Sequence, residues 1–268
     1  MTGLAERGAA LMGGTLAEAG GASGGSLSDL VTITLADGRR AVVKTGPAPR
    51  MEAAMLQAIR AAGAPAPKVY GVDDAALAIE LLPSGGSLSS ASADLGAVLR
   101  RLHAATGPHY GWEADYAFGK VVIENTAGGD WPRFYGERRL LTHLPHVPGA
   151  VARRLEALAH GLDERLPASP PASLLHGDLW SGNVLASKGR ISGLIDPACY
   201  HGHGEIDIAM LGLFGSPGPA FFEAYGELEP GWPERRDLYQ LWPALVHLRL
   251  FGSGYRGMVE RLLDAAGV

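Results

Sequence analysis

Apolar and polar positions divide the chain into a strand-rich opening and a longer helix-rich remainder. Residues 30–35, Leu-Val-Thr-Ile-Thr-Leu, alternate as a half-buried strand does. Asp37-Gly38 reads as a hairpin turn, and Ala41-Val42-Val43-Lys44 as the next strand. Residues 68–70 and 77–82 predict two further strands. Residues 2–11 predict a short helix. Residues 50–62 predict a longer one, with Met51, Met55, Leu56 and Ile59 forming an apolar stripe. Ala64-Pro65-Ala66-Pro67 is a connector. Pro83-Ser84-Gly85-Gly86-Ser87 interrupts the pattern and is taken as the boundary between a first lobe, 1–82, and a second, 83–268. Beyond it the spacing predicts helices over 91–105, 131–144, 148–166, 219–225, 234–251 and 255–266, the 131–144 helix being capped by Asp130. Trp232, Trp242 and Leu245 read as core. Residues 107–129 show no period and carry Tyr110, Trp112, Tyr116 and Phe118. A long structureless stretch inside a compact domain points to function.

Composition narrows the class. The 268 residues suffice for two lobes with a core, and 47% apolar against 19% charged residues describes a globular chain. A net charge of −5 argues against a broad nucleic-acid surface. The single cysteine, Cys199, excludes an intrachain disulfide and reads as a small buried residue. No signal peptide or membrane span is expected, so the cytoplasm is the expected location.

The chemistry concentrates in residues 174–200, LLHGDLWSGNVLASKGRISGLIDPACY. Leu174-Leu175 and residues 191–195 are apolar runs that predict buried strands. Between them lie His176-Gly177-Asp178 and Asn183, five positions after Asp178. Asp196 follows the second run. This ordered set is the layout of a kinase catalytic loop followed by a metal-binding aspartate. Phosphoryl transfer needs a carboxylate for the proton of the attacking hydroxyl, and Asp178 is placed for that. Magnesium prefers carboxylate and amide oxygens, and Asn183 and Asp196 are placed to supply them.

The first lobe fits the same chemistry. A glycine-rich stretch, with Ser23, Gly24, Gly25 and Ser26, lies between strands and would bring backbone amides to phosphates, although it lacks the GxGxxG pattern. Lys44 ends the following strand and would contact the nucleotide phosphates. Glu52, early in the next helix, would pair with it. Glu80, Leu81 and Leu82 would form a hinge meeting adenine through backbone groups. Asp207 follows Asp196 by only eleven positions, which leaves no room for the activation segment of a protein kinase and favours a small-molecule acceptor. Asp207 and His176 are expected to support the catalytic loop structurally. His201, His203, Glu205 and Asp207 alternate but are not read as a zinc site, and His103 reads as a core or capping histidine.

HGDLWSGN followed by IDPACYHGHGEIDIAMLGLFG resembles the fructosamine kinase (ketosamine-3-kinase) family, a branch of the aminoglycoside phosphotransferase and choline kinase group. Gly111-Trp112, Asp115, Gly119, Asn125-Thr126, Asp130-Trp131, Phe134 and Arg139-Leu140 fit the family's middle segment. The resemblance covers essentially the whole chain. It implies an α+β, bilobal protein kinase-like fold, with a small, mostly antiparallel first lobe and a larger, mainly helical second lobe. It implies Asp178 as catalytic base, Asn183 and Asp196 as magnesium ligands, Lys44 and Glu52 as the phosphate-side ion pair, and ATP and Mg2+ as cofactors. The implied reaction is phosphorylation of the 3-hydroxyl of a ketosamine, either a small molecule or a glycated lysine. The product is unstable and releases the amine, a deglycation repair. A monomer with no nucleic-acid or membrane partner is expected.

Trp180, two residues past the base, is expected to pack on the sugar, and Asp115 and Tyr116 are further substrate-binding candidates. Tyr116 stands where the family pattern has asparagine, and Ile123 where it has glutamine, so the preferred sugar can differ from fructosamine. Two alternatives stay open. One is an aminoglycoside or choline-type phosphotransferase of the same fold, with Asp115, Glu124, Asp130 and Glu137 as candidate carboxylates. The other is a silent pseudokinase acting as a binding module, although Lys44, Asp178, Asn183 and Asp196 are all kept.

Overall fold

The computed structural model describes residues 2–21 and 29–268. The glycine-rich candidates Ser23, Gly24, Gly25 and Ser26 lie outside the described residues.

The chain opens with helix α1 (Thr2–Leu11) and strands β1 (Leu16–Gly21), β2 (Leu30–Leu35) and β3 (Arg40–Lys44). Helix α2 (Pro49–Ala61) and strands β4 (Val69–Val72) and β5 (Leu77–Glu80) follow. The strands form one antiparallel sheet in the order β1-β2-β3-β5-β4. The alternation read in residues 30–35 is realised as Val31, Ile33 and Leu35 buried in one cluster with Ala5 and Ala9 of α1 and Met12 just after it. Register pairs Lys44 at the end of β3 with Leu30 and Leu77. Pro49 sits in the first turn of α2, where its missing N–H costs nothing, and Glu52 follows in the same turn.

After β5 come α3 (Ser92–Ala104), the hairpin β6 (Tyr116–Phe118) and β7 (Val121–Ile123), α4 (Trp131–Tyr135) and α5 (Gly149–His160). Strands β8 (Ser173–Leu175), β9 (Val184–Ser187), β10 (Arg190–Leu194) and β11 (Tyr200–Gly202) carry the central motif. Helices α6 (Glu205–Leu211), α7 (Pro219–Tyr225), α8 (Trp232–Phe251) and α9 (Arg256–Ala265) complete the fold. The architecture is α+β. No helix among the described residues is long and apolar enough to cross a membrane.

Three expectations change. The stretch 107–129 is not structureless, because Tyr116 pairs with Ile123 and Phe118 with Val121. The expected helix over 131–144 is α-helical only through Tyr135. It widens to a π turn over Gly136–Leu140 and tightens to a 3-10 segment over Leu141–His146. Pro145 has no N–H to return to Leu141, which bars α-helix there. Trp232 is only partly buried, whereas Trp242 and Leu245 are core as read. Asp130 caps α4 as expected, its carboxylate accepting the Arg133 N–H at 2.8 Å.

Helix α2 belongs to two layers. Its outer turns follow the sheet, while Met55, Leu56 and Ile59 pack in one cluster with Leu95, Val98 and Leu102 of α3 and Leu194 of β10. The motif residues are therefore anchored to both parts of the molecule.

Candidate active site

Backbone pairing builds the site first. Strand β8 pairs with β11, Leu175 facing Tyr200, so the segments that follow β8 and precede β11 are held side by side. Ala198 donates its N–H to the His176 carbonyl at 2.9 Å, and Ile195 to that of Asn183 at 3.0 Å. Gly177 has φ +80, and a Cβ there would lie 2.0 Å from the Ala198 oxygen. Only glycine allows this approach.

Asp207, near the head of α6, locks the loop from below. Its buried carboxylate accepts the N–H groups of His176 at 2.7 Å and Gly177 at 3.0 Å. His103 Nε2 lies 3.2 Å from the same carboxylate, and His103 Nδ1 meets the Tyr225 hydroxyl at 2.9 Å. Burial would raise Asp207, but His103 and the loop N–H groups hold it below the usual carboxylate range. His176 is buried and held neutral by that burial. Its Nδ1 accepts the Asp178 N–H at 3.3 Å, so its Nε2 carries the proton and donates to the Ile195 carbonyl at 3.0 Å. The supporting roles read for His176 and Asp207 have a geometric basis in these bonds.

Asp178 emerges from this loop half-buried. Asn183 Nδ2 donates to the Asp178 carbonyl at 2.8 Å and to Oδ2 at 3.0 Å. Burial pushes the Asp178 carboxyl up to about 7, with Asp196 and Asp207 adding to the rise and the Asn183 bond opposing it. Asp196 holds a left-handed backbone, φ 53, unusual for a residue other than glycine. Lys44 Nζ lies 2.9 Å from Glu52 and 2.5 Å from Asp196. Burial alone would strip charge from Lys44, but the two carboxylates more than reverse this and keep it an ammonium ion.

These side chains open onto one cavity of about 790 Å³. Lys44, Glu52, Tyr116, Asp178, Trp180, Asn183 and Asp196 all line it, so seven of the predicted residues converge. The Trp180 ring folds over Gly182, where a Cβ would lie 2.3 Å from ring carbon Cη2, and stays 42% exposed. Burial raises the Tyr116 phenol, which therefore stays protonated. Asp115 is exposed and off the cavity; its carboxylate accepts the Asn125 N–H at 2.7 Å and shapes the turn beside the β6–β7 hairpin. Glu80, Leu81 and Leu82 do not line this cavity. Glu80 accepts the Lys68 N–H at 3.1 Å, and Leu82 packs over Gly193.

The donor set suits a hard divalent cation. Asn183 spends its NH2 on Asp178, and among the described residues no donor reaches its amide oxygen. That oxygen and the 46% exposed Asp196 carboxylate, one oxygen of which is held by Lys44, are the oxygen donors that would hold the cation. The alternating group after Asp196 has other partners. His203 Nδ1 meets the Tyr239 hydroxyl at 2.9 Å, Glu205 takes a two-bond clamp from Arg235, and His201 stacks on Trp112. Cys199 is fully buried, and burial raises its thiol. The Asp196–Asp207 segment is occupied by β11, consistent with the absence of an activation segment.

Sequence reasoning missed Phe214, His247, Phe251 and Tyr255 as cavity-lining residues and read Trp242 only as core. The available signal was the four-residue spacing of His247, Phe251 and Tyr255.

Comparison with known proteins agrees with this geometry. The fructosamine kinase family model matches residues 15–266. The chain is 38% identical over 199 residues to the chloroplastic protein-ribulosamine 3-kinase of Arabidopsis thaliana, covering 69% of this chain and 60% of that protein. It is 36% identical over 239 residues to a probable ketoamine kinase of Thermus thermophilus, covering 85% of this chain and 87% of the relative. A crystal structure of a candidate fructosamine-3-kinase from Thermobifida fusca YX-ER1 superposes with TM-score 0.92 at 33% identity, covering 99% of both chains. An aminoglycoside phosphotransferase bound to AMP-PNP and hygromycin B shares the fold alone, with TM-score 0.66 at 17% identity over 94% of this chain and 95% of that one. The chain belongs to the fructosamine kinase family.

Proposed function

We propose that the protein is an ATP-dependent ketosamine kinase that phosphorylates the 3-hydroxyl of a sugar joined to an amine, and so promotes deglycation. The observation that carries this reading is the Lys44–Glu52–Asp196 ion cluster facing the Asp178–Asn183 loop across one cavity. The names of the relatives supply the acceptor class.

In this reading Asp178 accepts the proton of the acceptor hydroxyl, whose oxygen forms a bond to the γ-phosphorus as the bond to ADP breaks. Lys44, kept charged by Glu52, steadies the nucleotide phosphates. Asn183 and Asp196 would hold Mg2+, which neutralises charge on the phosphate oxygens. Glu80, Leu81 and Leu82, which do not line the cavity, would meet adenine through backbone groups beyond it, at the junction of an N-terminal lobe, 1–82, with a catalytic lobe, 83–268. Trp180 and Tyr116 flank the acceptor. The protein acts as a cytoplasmic monomer.

The test is Mg2+-dependent ATP consumption with ribulosyl-lysine, fructosyl-lysine, choline and kanamycin, with Asp178→Ala as control. Turnover of a lysine adduct, lost in the variant, is expected. Turnover of choline or kanamycin alone would sink the ketosamine reading while keeping the catalytic residues.

A further inference from the structure

Five large hydrophobic side chains stand out as exposed among the described residues: Tyr70, Val122, Trp180, Phe214 and Phe251. Three of them, Trp180, Phe214 and Phe251, line the single 790 Å³ cavity that also holds Asp178. Exposed apolar groups gathered in one concavity mark a binding surface, whereas scattered ones carry no message.

The cavity lining divides into two groups of different chemistry. Its formally charged residues are Lys44, Glu52, Asp178 and Asp196, all of the ion cluster and the loop facing it. The other group, the far wall, carries Phe214, Trp242, Val246, His247, Phe251 and Tyr255, and is reached from Tyr116 by two ring-to-ring steps, to Phe118 at 6.3 Å and on to Trp242 at 6.4 Å. His247 is its hub, with ring centres of Phe214 at 5.0 Å, Tyr255 at 5.1 Å and Phe251 at 5.4 Å. Its Nδ1 lies 2.8 Å from the Pro243 carbonyl, and partial burial keeps the ring neutral. That wall therefore presents no formal charge at neutral pH.

A ketosamine is likewise two-ended. The sugar must reach Asp178, so the substituent on its amine extends away from the ion cluster. An extended polycationic or zwitterionic amine would lose hydration against the far wall and gain no carboxylate there. We infer that the far wall is a subsite for the amine substituent, and that it selects ketosamines of apolar, above all aromatic, amines over those of small polar amines. This rests on the ketosamine kinase reading and specifies its acceptor.

The experiment compares kcat/KM for ribulosyl adducts of phenethylamine and ethanolamine at saturating MgATP. A preference of at least about tenfold for the phenethylamine adduct, expressed in KM, is expected from burying a phenyl ring on an apolar wall. Phe214→Ala combined with Phe251→Ala should shrink that ratio to less than about threefold, and Phe251→Leu should restore much of it. Both side chains are about half exposed, at 46% and 52%, and neither belongs to the buried core. A second pair separates apolar contact from cation recognition by aromatic faces: adducts of 3,3-dimethylbutylamine and of its trimethylammonium isostere. The neutral adduct should be preferred. Equal use of the phenethylamine and ethanolamine adducts, or preference for the trimethylammonium adduct, overturns the inference and leaves the ketosamine reading standing. Failure of every adduct while MgATP still binds overturns both.

Discussion

The Asp178 carboxyl, the base in the proposed reaction, is held at a cost to the folded state. Its carboxyl is pushed up to about 7 from the ordinary 3.8, chiefly by burial. Between those values the folded chain keeps a proton that the unfolded chain has released. Stability therefore falls as pH rises through that window and is level above it. Asp178→Asn removes the buried charge, and at pH 8 the variant should be more stable by about 1–2 kcal/mol, discounted for the carboxyl's partial exposure. Calorimetric Tm measures this. The same variant should lose about 10²–10⁴-fold in kcat. In the native protein, kcat/KM at limiting MgATP should rise with pH and level off above about 7, in step with deprotonation of the base. A profile flat from pH 5.5 to 8 would remove Asp178 from the role of base.

At the scale of elements, the loop after β8 is held by fit as much as by bonds. Gly177 has φ +80 and meets the Ala198 carbonyl, whereas Gly189 between β9 and β10 has φ +73 with its nearest neighbour at 3.8 Å. Gly189→Ala should cost only the left-handed strain, about 1–2 kcal/mol. Gly177→Ala adds a backbone collision that no rotamer relieves, and should cost more than about 4 kcal/mol or prevent folding. Urea midpoints of the two variants compare them; equal costs would refute the close-approach account. The elements also show the reach of local pattern. The strand alternation over 30–35 and the stripe on α2 were readable because each has one dry face. The π and 3-10 turns after α4 were not. Their apolar spacing resembles a helix, and the buried Arg139 there finds its partners far along the chain. Its guanidinium carbon lies 4.1 Å from the ring centre of Tyr200 and 5.2 Å from that of Trp242.

For the whole molecule, α2 couples the sheet to the helical part. Met55 is fully buried in the cluster shared with α3, and its sulfur accepts the Cys199 N–H at 3.3 Å. Met55→Ala should cost about 2–5 kcal/mol. All five tryptophans, Trp112 through Trp242, lie beyond residue 83, so tryptophan fluorescence reports the helical part while far-UV circular dichroism reports the whole. Because α2 joins the two, their urea midpoints should coincide in the native protein. Two separated transitions would contradict a shared core.

The sequence by itself determined which residues of the loop after β8 would come together. Asp178 and Asn183 precede the short β9–β10 hairpin and Asp196 follows it, so local spacing nearly dictates their proximity. The identity of Lys44 and Glu52 as a pair was also legible, since a strand end and the first turns of the next helix are near neighbours. Tertiary structure alone decided the rest. It moved Asp115 off the cavity by giving its carboxylate to the Asn125 N–H, and it brought Phe118, Phe214, Trp242 and Phe251 from distant elements onto one wall. An aromatic residue has the same apolar signature whether it fills a core or lines a cavity. Only the packing of α6, α8 and the β6–β7 hairpin leaves Phe214 and Phe251 exposed at the cavity while Trp242 stays buried beside it.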